Sequence, residues 1–211
     1  MRLVLASNNA KKLSELSAML AGFGVELVPQ GQLGIAEADE PFATFIENGL
    51  AKARHAAAAS GGAALADDSG LCVDALGGQP GVISAHFASV PLDERSGREQ
   101  RRRIQDAANN RLLLERLQTI EQRAAFFICT LVAVRHAQDP QPLVATGRWP
   151  GRILLAPQGA EGFGYDPLMF IPELGRTVAE LDGETKNRHS HRAGAMQQMQ
   201  TLLREVWCLH E

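Results

Sequence analysis

Aromatic residues are scarce. They make up 5% of 211 residues, with one tyrosine and two tryptophans. The core must therefore be mostly Leu, Val, Ile and Ala, and the chain offers no rows of aromatics for stacking nucleic-acid bases. A strong excess of one charge is also missing. The formal charge of −3 supplies no general pull toward DNA or an anionic membrane. A bound polyanion would have to be held locally, by a few lysines, arginines, backbone N–H groups or a metal. Cysteine is sparse: Cys72, Cys129 and Cys208 show neither metal-ligand spacing nor a paired framework. They read as reduced thiols of a cytoplasmic protein. No apolar run is long enough to span a bilayer, and Met1-Arg2 leads directly into a strand-like run with no secretory segment. Repeats, low-complexity tracts and linkers are absent too. With 45% hydrophobic residues, 1–211 is expected to form a single domain.

What is present is organised around Asp67-Asp68-Ser69-Gly70. Residues 63–66 read as a short buried strand that ends in two carboxylates. Alternation along an extended chain sends Asp67 and Asp68 opposite ways. One can face a site while the other braces the loop through backbone N–H groups, and Gly70 permits the turn. A carboxylate at such a position suits a hard cation such as Mg²⁺. Taken alone, the same four residues read as a surface Asx turn.

The rest of the chain supplies company. Residues 3–6 form an apolar strand, followed by Ser7-Asn8-Asn9-Ala10-Lys11-Lys12 and a helix carrying Leu13, Leu16 and Leu20. A polar strand-to-helix loop points N–H groups and the positive helix end at whatever sits there, and Lys11 or Lys12 can reach a phosphate. The loop lacks the glycines and Lys-Ser/Thr end of a Walker motif. Residues 25–28 read as a second strand. The acidic loop closed by Pro41 offers Glu40 as a second carboxylate, and a helix runs from Thr44 to about Ser60, carrying Glu47 and Lys52. Residues 93–103 are dense in arginine but mixed with acids, which reads as a solvated loop and helix face. A helix follows over 104–117.

Residues 124–134 are nearly all apolar and β-rich, the long central strand, with 143–149 as its hairpin partner. Phe163-Gly164-Tyr165-Asp166-Pro167 closes a glycine-rich loop, with Asp166 biased to extended geometry by Pro167. A strand over 168–171 and a short helix beginning at Thr177 come next. Lys186 and Ser190-His191-Arg192 precede a last helix whose Met196, Met199, Leu203 and Val206 stripe is core.

Set in order, these segments resemble the inosine/xanthosine triphosphate pyrophosphatases. The matching residues are 5–12, Thr44-Phe45-Ile46-Glu47-Asn48 with Lys52-Ala53, and Ala66-Asp67-Asp68-Ser69-Gly70-Leu71. Gly78-Gln79-Pro80-Gly81-Val82 with Ser84-Ala85, residues 162–167, and Lys186 with Ser190-His191-Arg192 complete the set. Each is weak alone, whereas the ordered series covers nearly the whole chain.

The resemblance implies an α/β fold: a long, mixed, bent β-sheet flanked by helices, in two lobes with the active site in the cleft between them. It implies hydrolysis of dITP, ITP or XTP to the monophosphate and pyrophosphate, with Mg²⁺ as cofactor and a homodimer as the assembly. Asp68 matches the general base, and Asp68 with Glu40 the acidic positions near Mg²⁺. Ser7, Asn8, Asn9, Ala10, Lys11, Lys12 and Lys52 match the triphosphate cradle, and Ser69 a nearby substrate contact. Phe163, Gly164, Tyr165, Asp166, Lys186, His191 and Arg192 match the base pocket. Asp68 beside a cation would keep a low pKa and deprotonate a polarised water. Donors such as Lys186 and His191 would satisfy a six-carbonyl and oppose an amine, and such mismatches discriminate by about 10⁴-fold. As an alternative, His191 caps the last helix.

Two departures stand out. Asn8 replaces a usual glycine, so its backbone must tolerate that geometry, which Asn does better than most residues. The segment 89–110 is long and Arg-rich for the family. A Maf-like nucleotide pyrophosphatase is a rival reading, opposed by the 163–167 and 190–192 motifs. A non-catalytic nucleotide sensor is another, opposed by the presence of both Asp68 and Glu40.

Overall fold

The computed structural model describes residues 1–91, 93, 95 and 97–209. Within the Arg-rich segment 93–103, Glu94 and Ser96 lie outside the described residues. Among the described residues seven strands form one sheet: β1 (Arg2–Leu5), β2 (Glu26–Pro29), β3 (Ala64–Val73), β4 (Ala124–Val134), β5 (Leu143–Ile153), β6 (Met169–Ile171) and β7 (Arg176–Thr177). Their order is β2-β1-β3-β4-β5-β6-β7. β1 pairs in parallel with β2 and β3, whereas β6 pairs antiparallel with β5 and β7. The sheet is thus mixed, as expected. Five α-helices accompany it among the described residues: α1 (Ala10–Met19), α2 (Phe45–Ser60), α3 (Arg98–Arg116), α4 (Gly183–His189) and α5 (His191–Trp207). None is long and apolar enough to cross a membrane.

The chain divides into two compact units. The first comprises 1–69, 129–148 and 189–211. Its strands alternate two ways at once. Leu3, Leu5, Leu65, Leu131 and Ala133 face α1 and α5, packing on Leu16, Leu20, Met196, Met199 and Leu203. Val4, Ala64, Ala66, Val132 and Val134 face α2, packing on Ala53, Ala56 and Ala57. Both faces of the strands are covered, as parallel pairing favours. The small alanines let α2 come close: a Cβ on Gly49 would sit 3.0 Å from Val132 Cγ2 and 3.9 Å from Asp68 Cβ.

The second unit comprises 70–128 and 149–188. Its core gathers Leu71, Val73, Phe127, Trp149, Ile153, Met169 and Ile171 from the strands against Leu113 and Leu117 of α3.

The ends of these elements follow local chemistry. Asn9 caps α1, its side chain accepting from Lys11 N and Lys12 N. Thr44 caps α2 by accepting from Glu47 N at 3.2 Å, and its hydroxyl donates to Glu47 Oε2 at 2.6 Å. Gly61, at φ 68°, ends that helix in the left-handed conformation.

Two expectations need correction. β3 does not end at Asp67: it runs on through Asp68, Ser69 and Gly70 to Val73, and Gly70 makes no turn. The carboxylates are tolerated mid-strand because lysines and an arginine from the flanking helices neutralise them. α3 begins at Arg98, ahead of the expected 104, because Arg and Glu are good helix formers and Glu99–Arg103 pair at i,i+4, 2.7 Å apart. α4 carries no hydrophobic period and was not foreseen. Asp182 starts it, accepting from Thr185 N at 2.8 Å.

Candidate active site

The alternation of β3 decides which partners each carboxylate meets. Leu65, Asp67 and Ser69 point toward α1 and α5, whereas Ala66 and Asp68 point toward α2. On the first face, Asp67 is 1% exposed. Its Oδ1 accepts from Lys12 Nζ at 2.7 Å and from Ser69 Oγ at 2.5 Å, and its Oδ2 accepts from Arg192 Nε at 2.6 Å. Side chains, not the backbone N–H groups expected, therefore brace Asp67. Burial alone would raise its pKa, but Arg192 and then Lys12 outweigh burial and hold it well below the usual range.

On the second face, Asp68 Oδ1 accepts from Lys52 Nζ at 2.8 Å. Lys52 lies one turn after Gly49 on α2, on the face that touches the sheet. The same ammonium lies 3.3 Å from Glu40 Oε2. Asp68 Oδ2 is buried and has no hydrogen-bond partner among the described residues. Burial is the largest influence on this carboxyl and raises it. Lys52 pulls it down and Glu40 pushes it up again, leaving it at about 6. Burial lowers the Lys52 ammonium, but Asp68 and Glu40 overcome that and raise it. One cation thus serves two carboxylates.

Glu40 stands on a loop fastened at several points. Asn8 Nδ2 donates to Glu37 Oε1 at 3.0 Å, and the His55 ring lies 3.0 Å from the Ala36 carbonyl. Buried Asn48 accepts from Phe42 N at 3.0 Å and donates to Phe42 O at 3.1 Å. Asn8 does not take a positive φ. Its amide instead fills the place a Cβ on Gly31 would need. Ser7 Oγ accepts from Asn9 N at 3.2 Å, while Ala10 and Lys11 are exposed at the start of α1.

The α5 start is set by Gly147 on β5, where a Cβ would run into the His191 carbonyl and Ala195 N. Ser190, not His191, is the N-cap, accepting from Ala193 N at 3.1 Å. His191 is buried as the first residue of α5. Arg192 is 1% exposed, with its guanidinium on Asp67, Glu15 and Ser69.

In the second unit the 162–166 loop is built around Asp166. Its Oδ2 accepts from Phe163 N at 2.9 Å and from Lys186 Nζ at 2.8 Å. Gly162 sits at φ 80°, and a Cβ there would collide with Asp166 Oδ2. Gly164 N donates to Asp106 Oδ2 at 2.8 Å and Gly164 O accepts from Asn110 Nδ2 at 2.9 Å, so α3 holds the loop. Phe163 is half-buried, with Arg102 4.5 Å and Lys186 4.7 Å from its ring centroid. Tyr165 is buried and donates to Ser84 O at 2.9 Å.

Lys12, Asp67, Ser69 and Arg192 therefore form one cluster, Glu40, Lys52 and Asp68 a second, and Phe163, Asp166 and Lys186 a third. Sequence reasoning missed Glu15, Arg102, Asp106 and Asn110. All are polar residues on helices that looked merely solvated, and no spacing singles them out.

Known proteins resemble this chain along its whole length. The sequence profile of the Ham1 family matches residues 3–202. A dITP/XTP pyrophosphatase of Leptothrix cholodnii is 66% identical over 211 residues, covering 99% of this chain and 100% of the relative. One of Methylibium petroleiphilum is 65% identical over 207 residues, covering 98% and 99%. Among solved structures, a HAM1 protein from Coxiella burnetii matches with a TM-score of 0.86 at 38% identity, covering 98% of this chain and all of that one. The Staphylococcus aureus Ham1 protein matches with a TM-score of 0.81 at 32% identity, covering 96% and 98%.

Proposed function

The chain belongs to the Ham1 family, and from that membership we propose that it hydrolyses deaminated purine nucleoside triphosphates. The substrates are dITP, ITP and XTP, and the products are the monophosphate and pyrophosphate. The observation that carries the chemistry is Asp68: one carboxylate oxygen held by Lys52, the other buried without a hydrogen-bond partner among the described residues. A buried acceptor left open in this way is a place for a proton or a cation.

The donor set fits Mg²⁺. Asp68 Oδ2 and the Glu40 carboxylate are hard oxygen ligands. No cluster of three His, Cys, Asp or Glu that could hold a metal occurs among the described residues, so phosphate oxygens and waters would complete the shell. When bound, Mg²⁺ supplies charge neutralisation on the phosphates and acidifies a bound water. Asp68 takes the proton of the attacking water. The water oxygen bonds to the α-phosphorus, the bond to the α–β bridging oxygen breaks, and pyrophosphate leaves. Lys12 and Lys52 stabilise the charge that builds on it. The residues at Ser7, Asn8, Asn9, Ala10, Lys11 and Ser69 bind the triphosphate alongside them. Phe163 stacks on the purine, and Gly164, Tyr165, Asp166, Lys186, His191 and Arg192 shape or line its pocket. The same reading carries a homodimer in the cytoplasm.

Pyrophosphate release from dITP and XTP with Mg²⁺, against ATP and against EDTA, is the test. Release from dITP or XTP that EDTA abolishes is expected. No release at any pH from neutral to alkaline discards the proposal, and a monomer by light scattering discards the dimer.

A further inference from the structure

In the second unit, Phe163 hangs between Gly162 at φ 80° and Gly164 at φ 62°. Glycines on both sides give this stretch more conformational freedom to lose than other residues would. Helix α3 meets the loop with a row of polar side chains. Arg102, Asp106 and Asn110 follow one another four residues apart, one turn after another along the helix. Arg102 lies 4.5 Å from the Phe163 ring centroid. Asp106 Oδ2 accepts from Gly164 N at 2.8 Å, and Asn110 Nδ2 donates to Gly164 O at 2.9 Å. The backbone N–H and C=O of a single residue are thus both taken by one helix. Phe163 N, next to it, donates to Asp166 Oδ2 at 2.9 Å. Asp and Asn are poorer helix formers than Ala. Their place in the middle of α3 has its reason in the loop they grip.

We propose that Asp106 and Asn110 are positioning residues for purine binding: by fixing the Gly164 backbone they hold the Phe163 ring ready to stack on the base. They act through Phe163 rather than on the nucleotide, and the inference rests on the stacking role proposed for that ring. With the clamp in place the ring is ordered before the base arrives, so binding gives up little loop freedom. Without it, the loop between two glycines samples other conformations, and the base must select the right one. What Asp106 supplies is an acceptor at a fixed point, not a charge. The clamp belongs entirely to the second unit, whereas Lys12, Lys52 and Asp68 belong to the first. Its loss should therefore be felt at the base and not at the phosphates.

Two probes separate the ends of the substrate: inosine monophosphate carries the base without the triphosphate, and inorganic tripolyphosphate has no base. Their dissociation constants are measured by calorimetry, alongside KM and kcat for dITP. The proteins are the wild type, Asp106→Ala, Asp106→Asn, Asn110→Ala, Phe163→Ala and Asp106→Ala combined with Phe163→Ala. Asp106→Ala and Asn110→Ala are each expected to weaken inosine monophosphate and raise KM about 5-fold, within what a base stacked on an aromatic ring supplies. Tripolyphosphate binding and kcat should change little, the mark of binding lost equally from ground and transition states. Asp106→Asn keeps an acceptor for Gly164 N and should bind like the wild type. In the Phe163→Ala background, Asp106→Ala should add nothing, because the ring it positions is gone. Asn110→Ala keeps the test open if Asp106→Ala does not fold. Equal weakening of both probes, an Asp106→Asn as impaired as Asp106→Ala, or a further loss in the Phe163→Ala background each overturns the inference. Unchanged inosine monophosphate binding in both alanine variants overturns it too. A wild type and variants that show this binding pattern, with no pyrophosphate released from dITP, sink the hydrolase reading and leave the clamp standing.

Discussion

Asp67 and Asp68 are neighbours on one strand with opposite electrostatic fates. Asp67 is gripped by Arg192 and Lys12 on the α1/α5 face, 2.6 and 2.7 Å away. Asp68 shares one lysine with Glu40 on the α2 face and leaves an oxygen open. Strand alternation separates the two roles, a buried structural anion and a reactive one.

Asp68→Asn keeps the shape of the side chain and removes its basicity. Pyrophosphate release from dITP should fall roughly 10³-fold, with nucleotide binding still measurable. Steady-state kinetics with calorimetric binding of the nucleotide checks this, and near wild-type turnover would exclude Asp68 as the base.

The pair should also oppose each other in stability. Burial raises Asp68 from the ordinary 3.8 to about 6, which corresponds to about 3 kcal/mol. Between those values the folded state holds a proton that the unfolded chain has lost, so this contribution is present below about 4 and disappears as pH rises through about 6. Asp67 is depressed despite its burial, so its contribution is present above the ordinary carboxylate pKa and is lost as pH falls through the folded value. In urea melts without divalent ions from pH 4 to 7, Asp68→Asn should gain on the wild type as pH rises. Asp67→Asn should trail the wild type by a nearly constant margin over the same range, and that margin should shrink only below about pH 4.

At Gly147, β5 lies against the backbone of α5. Gly147→Ala would push its methyl into the His191 carbonyl and Ala195 N, destabilising the protein by about 3 kcal/mol. Gly62→Ala, in open space, is the control and should shift thermal unfolding little. Equal melting temperatures for the two variants would show that α5 yields freely.

At the purine end, Phe163→Ala should raise KM for dITP roughly 10-fold, in line with about 1–3 kcal/mol for a base stacked on an aromatic ring. His191→Ala should cost discrimination against ATP more than it costs tripolyphosphate binding. Equal losses for dITP and ATP would argue against base reading by His191.

Much of the fold was legible in advance because its signals are local. The unbroken apolar run at 124–134 reads as a buried strand, and that is where β4 lies. The Thr44 start and Gly61 stop of α2 follow from capping chemistry. Signals that depend on a distant partner were not legible. Asp-Asp-Ser-Gly is turn-like by composition, and only the cations on α1, α2 and α5 allow β3 to run through it. α3 begins in charged sequence because its first turns have no apolar face to betray them.

By itself, then, the sequence determined the elements and the chemical kinds of side chain at the site, because propensity, capping and alternation act within a few residues. It also determined that Asp67 and Asp68 must diverge. Which of the two would be locked and which left open was settled only in three dimensions. Arg192 lies 125 residues from Asp67 in the chain, and only the packing of α5 against β5 and β3 brings its guanidinium to that carboxylate.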